Sequence, residues 1–156
     1  MVNVKMLVRA IFAVLVLPGV FAGLIPWWIV QSDPARSRGL TAGTALMIVG
    51  VGILFWCVRD FLVVGKGTLA PWDAPKRLVI VGLYRFVRNP MYVGIILLLA
   101  GWCLRSGSKW LWAYLVVLTI AFHLRVVLFE EPWLAREFPD DWNAYTRKVR
   151  RWLPRF

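Results

Sequence analysis

Four long apolar stretches, separated by polar segments, dominate the pattern of this 156-residue chain. They occupy residues 6–30, 40–64, 91–104 and 110–129. A helix needs about 20 predominantly apolar residues to cross a hydrocarbon core of about 30 Å, and only the third stretch is clearly shorter than that. The pattern therefore predicts an all-α protein, a polytopic membrane bundle of about four transmembrane helices.

The composition supports the same class, because 60% of the residues are hydrophobic and ten are Trp, well above an ordinary soluble domain. The first stretch also has features of a secretory signal, since Lys5 and Arg9 lie near its start and Val20-Phe21-Ala22 could serve as a cleavage site. Its apolar character continues to Val30, past the candidate cleavage site, so we predict a retained helix. Cys57 and Cys103 lie inside apolar stretches and the chain has one His, so neither a disulfide nor a metal site is predicted.

The distribution of charge predicts the topology. A net charge of +11 is typical of nucleic-acid binding in a soluble protein. Four spans would leave on one side all basic residues except Arg36, Arg38, Arg105 and Lys109. The positive-inside rule then predicts a multi-pass protein with both termini in the cytoplasm and with membrane lipids, not nucleic acid, as partners. The compact layout suggests a bacterial cytoplasmic membrane.

Residues 1–156 are interpreted as a single domain, because the chain shows no repeat and no low-complexity linker. The loop 65–89 and a helical tail at 132–156 are expected to form a cytoplasmic cap on the bundle.

The second apolar stretch contains residues suited to helix packing. Gly43, Gly50 and Gly52 offer small faces on which a neighbouring helix can approach closely. At the end of the same stretch, Arg59 and Asp60 are expected to lie at the membrane interface.

The dipeptide Asn89-Pro90 is a strong helix-start signal, because Asn caps first-turn amides and Pro at the first helical position needs no donor. A helix N-terminus carries unpaired N–H groups and about half a positive charge, so it suits a carboxylate ligand. Gly94, one turn later, would permit close backbone approach. The alternative is an ordinary membrane helix whose start is anchored at the interface by Arg85, Arg88 and Tyr92.

Glu130 and Glu131 follow the fourth apolar stretch, where the C-terminal end of a helix disfavours anions. A cation should compensate them. The simplest partner is Arg88 or Arg125, in a salt bridge worth about 0–1 kcal/mol if exposed. Arg125 itself either snorkels to the head groups or positions an anionic substrate group. His123 is expected to hydrogen-bond neighbouring backbone, with a site role as the alternative.

Two strings carry a resemblance to a known family. Residues 82–94 read GLYRFVRNPMYVG and residues 130–134 read EEPWL, and the tail continues the pattern at Phe138, Tyr145, Val149, Arg151 and Pro154. Together they closely resemble the isoprenylcysteine carboxyl methyltransferase-like family, which also includes small phospholipid methyltransferases. This chain departs from the family pattern at Asn89, where eukaryotic members have His, and at Pro139 and Trp142.

The resemblance implies S-adenosylmethionine as the cofactor and a lipophilic small molecule or lipid-modified compound as the methyl acceptor. By resemblance, one of the two glutamates binds the α-amino group of the cofactor. The cofactor-binding residues are then expected to be Leu83, Tyr84, Arg88, Asn89, Pro90, Tyr92, Gly94, Glu130, Glu131, Leu134 and Tyr145. Among aromatic residues, those expected near the cofactor are Tyr84, Tyr92, Trp133 and Tyr145. The expected catalytic residues are Arg88, Arg125 and Glu130.

The function most like the family's namesake is carboxyl O-methylation of an isoprenylcysteine. Such an acceptor is already ionised and needs no base, whereas an amine acceptor must lose a proton, which Glu130 or a substrate phosphate would take. The alternatives are N-methylation of a phospholipid such as phosphatidylethanolamine and a non-enzymatic membrane scaffold. The residues leave the acceptor and the oligomeric state open.

Overall fold

The computed structural model describes residues 18–34, 41–65 and 77–154. Regular structure in these residues is helical, apart from one isolated parallel bridge between Val87 and Arg150. The predicted all-α class is confirmed for this part of the chain. Residues 6–17 of the first apolar stretch and residues 66–76 of the predicted cap lie outside the described residues.

Six α-helices follow one another within the described residues. Three of them, with their flanking turns, make up the first half: α1 (Ile25–Ser32) after a π-helical turn (Val20–Leu24), α2 (Ala42–Asp60) running into a second π-helical turn (Phe61–Gly65), and α3 (Pro90–Ser106) after a 3₁₀ turn (Gly82–Arg85). The second half contains α4 (Lys109–Arg125), a third π-helical turn (Val126–Glu130), α5 (Glu131–Glu137) and α6 (Pro139–Lys148).

Among the described residues, two continuous helical runs are long and apolar enough to cross a membrane. They are Ala42–Val64, with 23 residues, and Lys109–Glu137, with 29 residues. Val20–Ser32 and Pro90–Ser106 are apolar but shorter. Large side chains on both long runs are exposed, including Phe55 at 69% and Val117 at 66%, as expected of helices that face lipid. The full set of four spans and their orientation stay predictions.

Close packing of α2 against α3 depends on paired glycines. A Cβ atom added to Gly43 would lie 2.6 Å from the carbonyl oxygen of Gly101, and one added to Gly50 would lie 2.6 Å from that of Gly94. Such backbone contact is the usual means of helix association in lipid. The packing prediction is confirmed for Gly43 and Gly50, whereas Gly52 meets no described atom within 4 Å of the same position.

The fourth apolar stretch does not end its helix at residue 129, as the sequence pattern suggested. The chain continues through the π-helical turn into α5, and the amide of Glu131 donates to the carbonyl of Val126, five residues earlier. Pro132 has no N–H to donate, so the wide turn accommodates it without breaking the run. Glu130 and Glu131 therefore lie within a helical run, and their predicted position at a helix C-terminus is wrong.

The segment 77–89 packs against the C-terminal tail, and the two together are called the cap here. Trp142, Tyr145 and Val149 form a buried cluster against Leu78 and Leu134. The Tyr145 hydroxyl donates a 2.6 Å hydrogen bond to the carbonyl of Tyr84, and burial raises the pKa of both tyrosines. Both hydroxyls therefore stay protonated at neutral pH. The cytoplasmic location of this cap stays a prediction.

The 3₁₀ turn is docked onto the end of α2 at one glycine. Gly82 has φ +55°, and a Cβ atom there would lie 2.1 Å from Oδ2 of Asp60, so only glycine fits. Asp60 is 4% exposed, while its ion-pair partner Arg59 is largely exposed. The turn covers the Asp60 carboxylate, and the location of Arg59 and Asp60 at the membrane interface stays a prediction.

Candidate functional site

A cavity of about 100 Å³ lies where the cap meets the start of α3 and the junction of α4 with α5. Most of its wall is aromatic or aliphatic, and a few polar groups converge on it, which is the usual character of a small-molecule site. The wall consists of Phe61, Leu78, Val79, Tyr84, Arg88, Asn89, Met91, Tyr92, Glu130, Glu131, Leu134, Trp142 and Tyr145.

Glu131 is held by two arginines. Arg151 forms a two-pronged contact, with Nε 2.8 Å from Oε1 and Nη2 2.7 Å from Oε2, and Nη1 of Arg88 lies 3.1 Å from Oε1. Burial lowers the pKa of Arg88, whereas the hydrogen bonds to Glu131 raise the pKa of Arg151. Arginine stays protonated in proteins, so this cluster carries two positive charges around one carboxylate.

Glu130 has a separate set of partners. Its Oε1 accepts a 2.5 Å hydrogen bond from the Tyr92 hydroxyl and a 2.8 Å hydrogen bond from Nε of Arg125. The same Nε lies 3.2 Å from the Tyr92 oxygen. Arg125 and Glu130 have side chains 46% and 30% exposed, so this pair lies nearer the surface than the pair around Glu131.

The π-helical turn explains why adjacent glutamates face different partners. Consecutive residues of a helix point about 100° apart. Arg125 and Glu130 are five residues apart and would not face each other on a regular α-helix, where neighbours are three or four apart. The wider turn at Val126–Glu130 brings them together. Arg125 was one of the two partners expected for the glutamates, but regular α-helical spacing would not place it beside Glu130.

The start of α3 follows the sequence prediction in position but not in capping. The helix begins at Pro90, with Asn89 at the N-cap position and no side-chain hydrogen bond to the first turn. Instead, Nδ2 of Asn89 donates a 3.2 Å hydrogen bond to the carbonyl of Arg151. The predicted capping by Asn89 is wrong: its amide nitrogen donates to the tail, and its side-chain oxygen accepts no hydrogen bond from the first turn.

Eight of the twelve expected site residues line the cavity: Tyr84, Arg88, Asn89, Tyr92, Glu130, Glu131, Leu134 and Tyr145. The other four lie elsewhere. Arg125 contacts two residues of the wall, Glu130 and Tyr92, and Pro90 is buried at the helix start. Leu83 packs on the cluster of Cys57, Val79 and Tyr84.

Gly94 lies at the interface of α3 with α2 and does not line the cavity. A Cβ atom there would lie 2.9 Å from Cγ2 of Ile53 and 3.1 Å from the carbonyl oxygen of Gly50. The close approach that Gly94 permits is therefore between two helices.

Trp142 and Arg151 are site residues that the sequence analysis did not single out. The Trp142 ring lines the cavity, and Cζ of Arg88 lies 5.4 Å from its centre, within the range of a cation–π contact. The sequence signal was present, since both positions belong to the tail pattern. Trp133, expected near the cofactor, packs edge-on against Phe138, with the two ring centroids 6.2 Å apart.

His123 accepts a 3.2 Å hydrogen bond at Nδ1 from the indole of Trp152 and does not line the cavity. Its partner is thus a side chain, not the backbone group that was expected. Within the described segments, no cluster of three or more His, Cys, Asp or Glu side chains is arranged to hold a metal ion.

Comparison with known proteins identifies the family. Residues 39–141, more than half of the chain, match the phospholipid methyltransferase family. A protein of Haemophilus influenzae described as uncharacterized is 32% identical over 63 residues, which cover 40% of this chain and the whole of that protein. No solved structure matches. The match includes both glutamates and the segment that begins α3, in agreement with the resemblance to isoprenylcysteine carboxyl methyltransferase-like proteins, and the chain belongs to the phospholipid methyltransferase family.

Proposed function

We propose that this protein transfers a methyl group from S-adenosylmethionine to a lipophilic acceptor at the membrane interface, most like an isoprenylcysteine carboxyl O-methyltransferase. The observation that carries the proposal is the arrangement of Arg88 and Glu131 side by side in one cavity wall. A cation next to an anion is what recognition of an amino-acid zwitterion requires.

The residues present fit the methionine end of this cofactor. Nε of Arg88 is buried and has no hydrogen-bond partner among the described residues, and an unsatisfied buried donor is costly. A carboxylate in the cavity would satisfy it, while Glu131 would accept the ammonium group. Trp142, Tyr84 and Tyr145 supply aromatic surface around the same space, suited to a purine ring or a sulfonium.

Binding of a molecule this large requires the cavity walls to move apart. Ligand sites typically enclose about 300–1,000 Å³, compared with about 100 Å³ here. One wall is contributed by the cap and another by the long helical run, so a small outward shift of the cap would enlarge the space.

The bound cofactor would supply an electrophilic methyl group on a sulfonium. The protein's contribution is to hold the acceptor atom about 3–3.5 Å from that carbon and in line with it. Glu130 lines the cavity and pairs with Arg125 on the more exposed side. Arg125 would bind the anionic group of the acceptor, and Glu130 would take a proton if the acceptor is an amine.

The acceptor class is tested by following the label from radioactive S-adenosylmethionine with the full chain in lipid nanodiscs. A prenylcysteine analogue and phosphatidylethanolamine would be offered separately. We expect label in the prenylcysteine product. Label confined to phosphatidylethanolamine would instead assign the protein as a phospholipid N-methyltransferase.

Cofactor binding is tested separately by calorimetry with S-adenosylhomocysteine in detergent. We expect saturable heat with the native chain and with Glu137→Gln, whose exposed carboxylate ends the same helix α5. Absence of heat with the native chain would contradict the proposed function and favour a non-enzymatic scaffold.

A further inference from the structure

Three hydrogen bonds tie the C-terminal segment 149–152 to two other parts of the molecule. The amide of Arg88 donates a 2.9 Å hydrogen bond to the carbonyl of Arg150. The Asn89 side chain donates to the carbonyl of Arg151, and the Trp152 indole donates to His123 on α4. The segment is therefore held in register beside the start of α3 and the junction of α4 with α5.

This register delivers the Arg151 side chain to Glu131 from outside the cavity. Glu131 and Arg88 line the cavity, whereas Arg151 does not. The guanidinium nevertheless contacts both carboxylate oxygens, at 2.8 and 2.7 Å. Arg151 thus leaves the cavity side of the carboxylate accessible and does not occupy the position of a ligand's ammonium group.

The contacts of the Glu131 carboxylate leave one acceptor position for a ligand. A carboxylate has about four lone-pair positions. Oε1 is contacted by Nε of Arg151 and Nη1 of Arg88, while Oε2 is contacted, among the described residues, only by Nη2 of Arg151. One acceptor position on Oε2 is therefore available for a further donor.

We propose that Arg151 is a positioning residue of the cofactor site: its planar fork fixes the plane of the Glu131 carboxylate so that the remaining lone pair of Oε2 meets the α-ammonium group of the cofactor. This inference rests on the proposed function. Without the fork, Glu131 can rotate toward Arg88, its other cationic partner. Lysine cannot replace the fork, because an ammonium group is a point charge without planar geometry.

The test compares two probes that differ in the amino-acid moiety. S-adenosylhomocysteine carries the α-ammonium group, and 5′-methylthioadenosine lacks the whole amino acid but keeps the nucleoside and the thioether. Dissociation constants would be measured for the native chain, Arg151→Ala, Arg151→Lys and the matched control Arg150→Ala. The Arg150 side chain is exposed, and its described contact uses only the backbone.

We expect Arg151→Ala to weaken S-adenosylhomocysteine at least tenfold, Arg151→Lys to recover little of that loss, and Arg150→Ala to stay within twofold. Affinity for 5′-methylthioadenosine should stay within twofold in all variants. In a Glu131→Gln background, Arg151→Ala should have no additional effect on S-adenosylhomocysteine.

Two results would overturn the inference while leaving the proposed function intact. One is equal weakening of both probes by Arg151→Ala, which indicates general damage to the cap. The other is unchanged or tighter S-adenosylhomocysteine binding in that variant, which would mean that Arg151 is dispensable or competes with the ligand. If the native chain binds neither probe, the proposed function fails first.

Discussion

Glu130 and Glu131 are neighbours in sequence with the same chemistry, yet the structure gives them different surroundings. Glu131 is 16% exposed and is paired with Arg88 and Arg151, which both come from the cap. Glu130 is 30% exposed and is paired with Arg125 of its own helical run. The partners of each carboxylate therefore depend on the elements that face it. The two adjacent glutamates of this chain lie in two distinct environments.

The energetic consequences of the two ion pairs also differ. An exposed pair such as Glu130 with Arg125 contributes about 0–1 kcal/mol to stability, so either partner can exchange it for a substrate group at little cost. Removing one charge from a buried pair is costlier, because the remaining charge is left without compensation. Glu131 is closer to that case, which suits a preorganised binding group.

The largest effect is expected from Glu131→Gln. Loss of the negative charge removes the partner for a cofactor ammonium group, and truncating one side of a buried charged pair costs about 2–5 kcal/mol. We expect S-adenosylhomocysteine affinity to fall by roughly 100-fold or more. Circular dichroism should show an unchanged helix content, because the apolar helices do not depend on this carboxylate. Native-like affinity in the folded variant would contradict the assignment of Glu131.

Glu130→Gln should lower the turnover of an amine acceptor and should not change cofactor binding. Loss of a general base typically costs about 10²–10⁴-fold in rate, so turnover of an amine acceptor is expected to fall by about 100-fold. A carboxylate acceptor needs no base, and its turnover should fall much less. Calorimetry with S-adenosylhomocysteine should give a dissociation constant within about threefold of native. A loss of binding equal to that of Glu131→Gln would remove the distinction between the two sites.

Arg125→Lys should raise KM for the acceptor by about tenfold without changing cofactor affinity. The positive charge is kept, but the planar fork that binds an anionic group is lost. Steady-state kinetics with acceptor varied at saturating S-adenosylmethionine would measure the change. The matched control is Arg105→Lys, which lies in the last turn of α3, at the opposite end of that helix from the cavity. An unchanged KM would mean that Arg125 serves only to hold Glu130.

The smallest effect is expected from Tyr92→Phe. The hydroxyl hydrogen bond to Glu130 is lost, while the ring keeps its contact with Phe122 at a centroid distance of 4.6 Å. A single side-chain hydrogen bond contributes about 1 kcal/mol, so turnover should fall by about fivefold with no change in thermal stability beyond a few degrees. Turnover reduced as far as in Glu130→Gln would assign Tyr92 a direct role in proton transfer.

Several features of the fold were predictable because they depend on local sequence. The start of α3 at Pro90 follows from the chemistry of proline, because proline lacks an N–H and the first position of a helix does not need one. The close contacts at Gly43 and Gly50 follow from the absence of side chains. By contrast, the donor role of Asn89 depends on the Arg151 carbonyl, 62 residues later, and no local signal indicates it.

The sequence indicated which residues lie together better than it indicated how they are arranged. The paired strings indicated Arg88, Tyr92, Glu130 and Glu131, which all line one cavity. Gly94 does not line this cavity, and its small size permits the close packing of α3 on α2.

The sequence by itself determined the apolar helical runs, the helix start and the family, because hydrophobicity, proline geometry and motif spacing are properties of neighbouring residues. Only the tertiary structure decided which arginine faces which glutamate. The π-helical turn changes the direction of the side chains after Arg125, and the C-terminal tail, as part of the cap, brings Arg151 to Glu131. The contact of Arg151 with Glu131 depends on packing between segments that are far apart in the chain, which local sequence patterns do not specify.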